Sequence, residues 1–101
     1  MGLRDIQSAV ARGDYRFSAH ARKQMADRGI GVEEVEQAIV GGEVIEDYPE
    51  DKYRPSRLIL GFTRAGRPLH IQCCEPMPEV IVITCYQPSE EEWLDLRRRR
   101  K

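Results

Sequence analysis

Residues 17–30 read FSAHARKQMADRGI, and this stretch has the features of a capped amphipathic helix. Ser18 is a favourable N-cap, because its hydroxyl can accept a hydrogen bond from an unpaired amide of the first turn. Gly29 suits the left-handed position that ends many helices. Phe17, Ala21 and Met25 recur at the spacing of one helix face. The stretch therefore predicts a helix with one buried side.

Two further helices and four strands are predicted around this helix. Apolar residues between Leu3 and Val10 follow helical spacing, as do those of residues 32–40. The strand candidates are residues 43–48, 57–63, 68–75 and 80–87. A short final helix is predicted from Ser89, which has capping-box spacing with Glu92. The order predicts an α+β fold in which N-terminal helices pack on a four-stranded antiparallel sheet, a meander, followed by a short C-terminal helix.

Strand alternation predicts which side of the sheet packs on the helices. The expected register pairs Thr63 with Pro68 and Cys74 with Val80. The core face would then be Leu58, Leu60, Phe62, Leu69, Ile71, Cys73, Ile81, Ile83 and Cys85. The opposite face would be Arg57, Ile59, Thr63, His70, Gln72, Cys74, Val82, Thr84 and Tyr86. This mixed face suits a ligand platform, or a surface covered by the last helix or by a partner chain.

Length and composition predict a single domain over residues 1–101. The chain has 41% hydrophobic and 33% charged residues, which is ordinary for a globular domain. No apolar run approaches the roughly 20 residues of a membrane span, and the N-terminus lacks the apolar segment of a signal peptide. Three cysteines without framework spacing fit a reducing compartment. We therefore expect a cytoplasmic protein with no membrane partner.

The net charge of −1 hides a segregation of charges along the chain. Residues 29–51 contain eight acidic side chains and no Lys or Arg, whereas residues 97–101 are all basic. An acidic solvated helix between mixed segments and a frayed, solvated tail are the simplest interpretations. The basic tail could also bind phosphates.

A metal-independent catalytic set is conceivable on the mixed face. The predicted register brings His70, Arg57, Thr84 and Tyr86 together, and such residues could cleave RNA by proton transfer and phosphate binding. A solvated strand face is the alternative interpretation. His20, in the first turn of the capped helix, could act as a base or hydrogen-bond to a neighbouring loop.

No metal or cofactor is expected from the sequence. Cys73 and Cys74 are adjacent and would point to opposite faces of a strand, so they cannot easily bind one ion together. The chain contains neither a C-x-x-C nor an H-x-x-x-H pair, which zinc sites commonly use.

Five motifs together resemble a small bacterial family, domain of unknown function 4258. They are FSxHAxxxMxxRGI at residues 17–30, EVIEDYP at 43–49, PSRLILG at 55–61, RPLHI at 67–71 and VITCYQP at 82–88, followed by Trp93. The resemblance covers about residues 16–93, which would be the family-like core, with a basic tail at 97–101. Gly31 departs from the Ser-type cap that is usual in the family, and Cys73 and Cys74 also depart.

The resemblance implies two kinds of function. The family has no settled activity, but it is distantly similar to RelE and BrnT toxins, small ribonucleases paired with antitoxins. That similarity implies RNA and an antitoxin as partners, and His20, Arg57, His70 and Tyr86 as the catalytic positions to test. The alternative is a non-enzymatic protein-interaction module, dimeric through a sheet edge or the Val82 face.

Charge placement should discriminate between the two functions. A toxin should join Arg28, Arg57 and the tail in one basic surface. Acidic residues of segment 33–51 flanking the His70 face would disfavour phosphate binding there.

Overall fold

The computed structural model describes residues 2–52 and 54–100 as an α+β fold. Its helices are α1 (Leu3–Ala11), α2 (Ala19–Arg28) and α3 (Val32–Val40), with strand β1 (Tyr15–Phe17) between the first two. The longer strands are β2 (Glu43–Tyr48), β3 (Ser56–Phe62), β4 (Pro68–Cys74) and β5 (Val80–Tyr86). The two-residue strands β6 (Trp93–Leu94) and β7 (Arg98–Arg99) complete the chain. The three predicted N-terminal helices are confirmed.

Local signals fix the ends of α2 as the sequence predicts. The Ser18 hydroxyl accepts a hydrogen bond from the Ala21 amide at 3.0 Å. Gly29 ends the helix with φ of 63°, in the left-handed region that favours glycine. Ala21 and Met25 are buried on the side that packs against β5. The two capping interactions, at Ser18 and Gly29, are short-range, which is why sequence alone locates this helix.

The prediction of a four-stranded antiparallel meander is wrong. The main sheet has five strands in the order β1-β5-β4-β3-β2, and β1 runs parallel to β5 while the other pairs are antiparallel. Residues 15–17 are too few to show strand alternation, so no local pattern marks β1. Its pairing depends on β5, which lies more than sixty residues later: the Ser18 amide, for example, donates to the Val82 carbonyl at 2.9 Å.

The predicted C-terminal helix is also wrong, although it begins as expected. The amides of Glu92 and Trp93 donate to the Ser89 hydroxyl and carbonyl at 3.3 and 3.1 Å, which makes a single turn. Trp93 then pairs with Arg99 in an antiparallel hairpin. Only 3% of Trp93 is exposed, and its burial against the sheet outweighs local helix propensity.

Strand β3 is shifted by one residue from the predicted register. Phe62, and not Thr63, lies opposite Pro68, so Leu60 faces His70 and Ile59 faces Ile71. A shift of one residue moves every side chain of a strand to the other face. Gly61 gives the physical reason, because a Cβ there would lie 1.8 Å from the Ala38 carbonyl oxygen of α3. Only glycine allows this approach, so α3 selects the register.

A bulge changes the expected faces of β5 as well. Gln72 pairs with Thr84 and Cys73 with Val82, which leaves Ile83 as the extra residue. Val80 and Val82 therefore pack in the core with the helices, together with Ile59, Leu69, Ile71, Cys73 and Cys85. The expected core positions of Leu69, Ile71, Cys73 and Cys85 are confirmed. Leu58, Leu60, Phe62, Ile81 and Ile83 are not part of that helix-facing core.

The sheet consequently has a helix face and a second face. The second face is formed by Leu58, Leu60, His70, Gln72, Thr84 and Tyr86, as the pairing shows. Leu58 and Leu60 are each only 2% exposed, so part of this face is covered as well. The C-terminal hairpin, which we call the strap (residues 93–99), lies over His70 on this face. Val82 packs under the helices, so it cannot form the dimer face that the sequence suggested.

Candidate functional site

His70 lies at the centre of the second face and is fully buried. Its Nδ1 lies 3.1 Å from the hydroxyl of Tyr86, its neighbour across β4 and β5. Its Nε2 lies 2.6 Å from the carbonyl oxygen of Leu96 in the strap. A carbonyl can only accept, so Nε2 carries the proton and donates. Nδ1 is then free to accept from the Tyr86 hydroxyl in the neutral ring.

The surroundings of His70 favour this neutral form. Burial lowers the pKa of His70 below its ordinary value of 6.5, and the Arg99 charge acts in the same direction. The hydrogen bond to Leu96 and the Glu46 charge raise it, but they do not offset burial. Burial also raises the pKa of Tyr86 to about 12. Both groups are therefore uncharged at neutral pH.

Aromatic contacts surround the imidazole on two sides. The ring of Trp93 meets it edge-on with centroids 4.3 Å apart, and the ring of Tyr86 does so at 5.3 Å. The guanidinium of Arg99 lies over the ring of Trp93, with its central carbon 4.7 Å from the ring centroid. Such edge-to-face and cation–π contacts each contribute about 0.5–1.5 kcal/mol beyond simple burial.

Glu46 anchors the arginine of this stack. Its two carboxylate oxygens accept from Nε and a terminal nitrogen of Arg99 at 3.0 and 3.2 Å, a bidentate arrangement. Tyr48 donates its hydroxyl to the same carboxylate. Burial raises the pKa of Glu46, but the hydrogen bonds from Arg99 and Tyr48 outweigh it and lower the pKa overall. Glu46 is thus held as a carboxylate.

The strap itself has an unusual turn. Asp95 and Leu96 have φ angles of 54° and 63°, which L-residues other than Asn and Asp rarely adopt. The Arg97 amide donates to the Leu94 carbonyl at 3.1 Å across this turn. A left-handed residue costs roughly 1–2 kcal/mol. The conformation points the Leu96 carbonyl at His70, and that hydrogen bond helps to hold it.

The structure brings together only two of the four predicted catalytic residues. His70 and Tyr86 are in contact, as described above. His20 is exposed on α2, which packs on the helix face. Arg57 pairs with Cys73 of the helix face and forms ion pairs with Asp47 at 3.6 Å and Glu75 at 2.9 Å. The catalytic roles of all four residues stay a prediction, but they do not form one cluster.

The segregated charges of the sequence meet each other within the fold. Acidic side chains of residues 29–51 pair with arginines from elsewhere: Glu34 with Arg67 at 3.3 Å, Glu43 with Arg97 at 2.5 Å, Glu46 with Arg99 and Asp47 with Arg57. Residues 97–100 of the basic tail are therefore held in the fold and are not frayed, although they are exposed to solvent as expected. Lys101 lies outside the described residues. Acidic residues of β2 flank the second face, which disfavours phosphate binding there.

Sequence reasoning missed Glu46, Tyr48, Trp93 and Arg99 as members of this cluster. The complementary charges of residues 29–51 and 97–101 were the available signal. Their pairing requires the tail to turn back onto β2, and no local pattern shows that fold.

A cleft of about 660 Å³ adjoins the cluster and is lined by Tyr48, Pro49, Glu50, Asp51, Lys52, Gln72 and Arg99. Asp51 accepts from the Ser56 hydroxyl at 2.9 Å, and Gln72 donates to the same hydroxyl at 3.0 Å. The cleft thus has a polar, hydrogen-bonded floor next to the end of the strap.

Neither a metal cluster nor a membrane span is found in the described part of the chain. Among residues 2–52 and 54–100, no three His, Cys, Asp or Glu side chains are grouped so that they could hold a metal ion. The helices of these residues are all too short or too polar to cross a membrane.

The chain belongs to the family described as domain of unknown function DUF4258, whose model matches residues 17–87. No curated protein and no solved structure shows significant similarity to this chain. The matched region includes Glu46, Tyr48, His70 and Tyr86 but ends before the strap. The likeness to RelE and BrnT toxins stays a prediction.

Proposed function

We propose that this domain acts by binding a protein segment on the second face of its sheet, and not by cleaving RNA. The observation that supports this proposal is the use of His70. The ring is fully buried and donates to a main-chain carbonyl, a group that every protein segment carries. Trp93 and Arg99 fill the surrounding positions, so the face already holds a protein segment, supplied by its own chain.

The arrangement is less suited to ribonuclease chemistry. A general base must reach the proton that it removes, whereas His70 is engaged on both nitrogens beneath the strap. Arg57 lies on the helix face, where it could not stabilise charge next to His70. A phosphate at the second face would also compete with Glu43 and Glu46 for Arg97 and Arg99. If the strap were lifted, the phosphate would meet those two carboxylates unpaired.

A strap-covered ribonuclease is the second candidate. The observation in its favour is the hydrogen bond between His70 and Tyr86 at 3.1 Å, since such a pair could move a proton once the strap was lifted. This candidate predicts that loosening the strap increases activity. The two proposals can therefore be separated by one set of variants.

The first experiment measures growth on expression and cleavage of RNA in vitro for the wild type and Arg99→Gln. Arg99→Gln removes the pair with Glu46 and loosens the strap. We expect normal growth and intact RNA for both proteins. Growth arrest or cleavage that rises in Arg99→Gln and disappears in His70→Ala would overturn the proposal in favour of the ribonuclease.

A second experiment tests protein binding directly in the cell. A photocrosslinking amino acid replaces Lys52 at the rim of the cleft, and a matched control replaces Arg12, an exposed residue that follows α1 and does not line the cleft. We expect discrete protein adducts from position 52 only, weakened by Glu46→Gln. Nucleic-acid adducts at position 52, or identical adducts from both positions, would contradict the proposal.

A further inference from the structure

We propose that the strap is a displaceable occupant of the second face, and that the partner protein supplies a segment of the same chemistry, an aromatic side chain with a nearby arginine. This inference rests on the proposed function and specifies its partner. It treats residues 93–99 as an intramolecular competitor for a site formed by Glu46, Tyr48, His70 and Tyr86.

The first support is the division between site and strap. The four site residues lie within residues 17–87, the region that defines the family. The strap follows that region and is connected to it by a short segment containing Pro88 and a single turn at Ser89. The site residues therefore all lie within the matched region. The strap lies beyond it, although its Trp93 is one of the residues that carry the family resemblance.

The second support is the set of contacts that the strap makes. It presents three groups to the site: the Leu96 carbonyl to His70 at 2.6 Å, the Trp93 ring to the imidazole at 4.3 Å and the Arg99 guanidinium to Glu46 at 3.0 Å. A carbonyl, an aromatic ring and an arginine are groups that a segment of another protein can also offer. Bidentate pairing with Glu46 requires the planar fork of arginine, which lysine lacks.

The third support is the conformational cost of the bound strap. Asp95 and Leu96 both occupy the left-handed region, where L-residues are disfavoured. The ion pair between Arg97 and Glu43, which holds the outside of the strap, is solvent-exposed, with 44% of the Arg97 side chain accessible. Exposed ion pairs contribute little. A partner segment without the strained turn would therefore compete favourably.

The connection to the sheet gives the strap its advantage over a partner. A segment held by a short linker has an effective concentration on the order of millimolar. A free segment must exceed that concentration or bind more tightly in order to displace the strap. Weakening the strap without altering the site should lower the required concentration.

The test uses the full chain and its single tryptophan, which lies in the strap and reports whether the strap is seated. The probe is a peptide of residues 91–100 with phenylalanine at position 93, so that only the protein's Trp93 emits at long wavelength. A cysteine is added at each end, and oxidation of the two thiols to a disulfide closes the ring. Cyclisation preorganises the hairpin and reduces the entropic cost of binding. Emission is followed in the wild type and in Arg97→Ala, which loosens the strap outside the site.

We expect a saturable red shift of Trp93 emission, with a midpoint about 3-fold lower in Arg97→Ala, because one exposed ion pair is worth a few-fold in equilibrium constant. A matched peptide with lysine at position 99 should bind about 10-fold more weakly, as expected when a bidentate charged hydrogen bond is lost. Unchanged emission in both proteins, or equal binding of the two peptides, would overturn the inference.

A single-stranded RNA oligonucleotide serves as the last probe and separates the two levels of the proposal. A red shift with RNA, and none with the peptide, would overturn the proposed function itself. Absence of a response to both probes, with position-52 protein adducts present in cells, would overturn only the aromatic-and-arginine chemistry of the partner.

Discussion

Protonation of His70 should destabilise this fold in mildly acidic solution. In the native state Nε2 already donates to Leu96, and Nδ1 accepts from Tyr86. A second proton would remove that acceptor and place a charge in a buried site near Arg99. Because the native pKa is lowered from 6.5, the unfolded chain binds the proton first as the pH falls. Stability is therefore complete above pH 6.5 and decreases below it, until the native pKa is reached.

The magnitude follows from this linkage. At one pH unit below 6.5 the unfolded chain has taken up almost a full proton at this position, and the native state takes up less because its pKa is lowered. Linkage limits the loss in free energy of unfolding from this one group to about 1.4 kcal/mol per pH unit. For a domain of this size each kcal/mol lowers Tm by about 4–8 °C, so we expect a decrease of up to about 11 °C between pH 8 and pH 5.5.

The assay is thermal unfolding monitored by Trp93 fluorescence between pH 8 and pH 5. His70→Gln is the informative variant, because its amide can donate to Leu96 and accept from Tyr86 without titrating. We expect this variant to lose most of the pH dependence above pH 5, whereas His20→Gln, at the exposed histidine, keeps it. The contribution of Glu46, whose pKa is lowered from 4.5, disappears only at more acidic pH. Equal pH profiles for the wild type and His70→Gln would refute the reasoning.

Three further predictions concern stability and can be checked by chemical denaturation. Gly61→Ala should cost at least about 3 kcal/mol, since its Cβ would overlap α3 backbone, whereas Gly41→Ala, with its nearest atom at 3.7 Å, should be tolerated. Asp95→Gly should stabilise the strap by less than about 1 kcal/mol, because aspartate tolerates the left-handed region better than other L-residues; a loss of stability would show that the turn is not strained. Ile59→Ala should cost about 2–5 kcal/mol and Phe62→Ala, at a 47% exposed position, less than 1 kcal/mol; the reverse order would support the register that the sequence suggested.

The helices could be predicted because their signals are local. Ser18 and Gly29 act on amides and carbonyls within one turn, and the spacing of Ala21 and Met25 defines the buried side without reference to the rest of the chain. The strands β2 to β5 were located for the same reason. The three-residue strand β1 was not, because its pairing with β5 exists only in the folded sheet.

The candidate site was predicted in part. His70 and Tyr86 share a face in both registers, because β4 and β5 have the expected alternation at these positions. Arg57 was assigned to that face only because β3 was placed one residue out of register. The register of β3, and with it the face on which Arg57 lies, depends on the approach of α3 to Gly61. This is a contact between segments more than twenty residues apart.

The sequence by itself determined the three N-terminal helices, the four main strands and the complementary charges, because each depends on residue type and short spacing. Only the tertiary structure decided which of these features contact one another. Gly61 sets the register, the bulge at Ile83 turns Val82 into the core, and the acidic strand β2 draws Arg97 and Arg99 back over His70. Packing and charge pairing at long sequence separation buried a histidine that the sequence suggested as a catalyst, and joined it by a hydrogen bond to the Leu96 carbonyl.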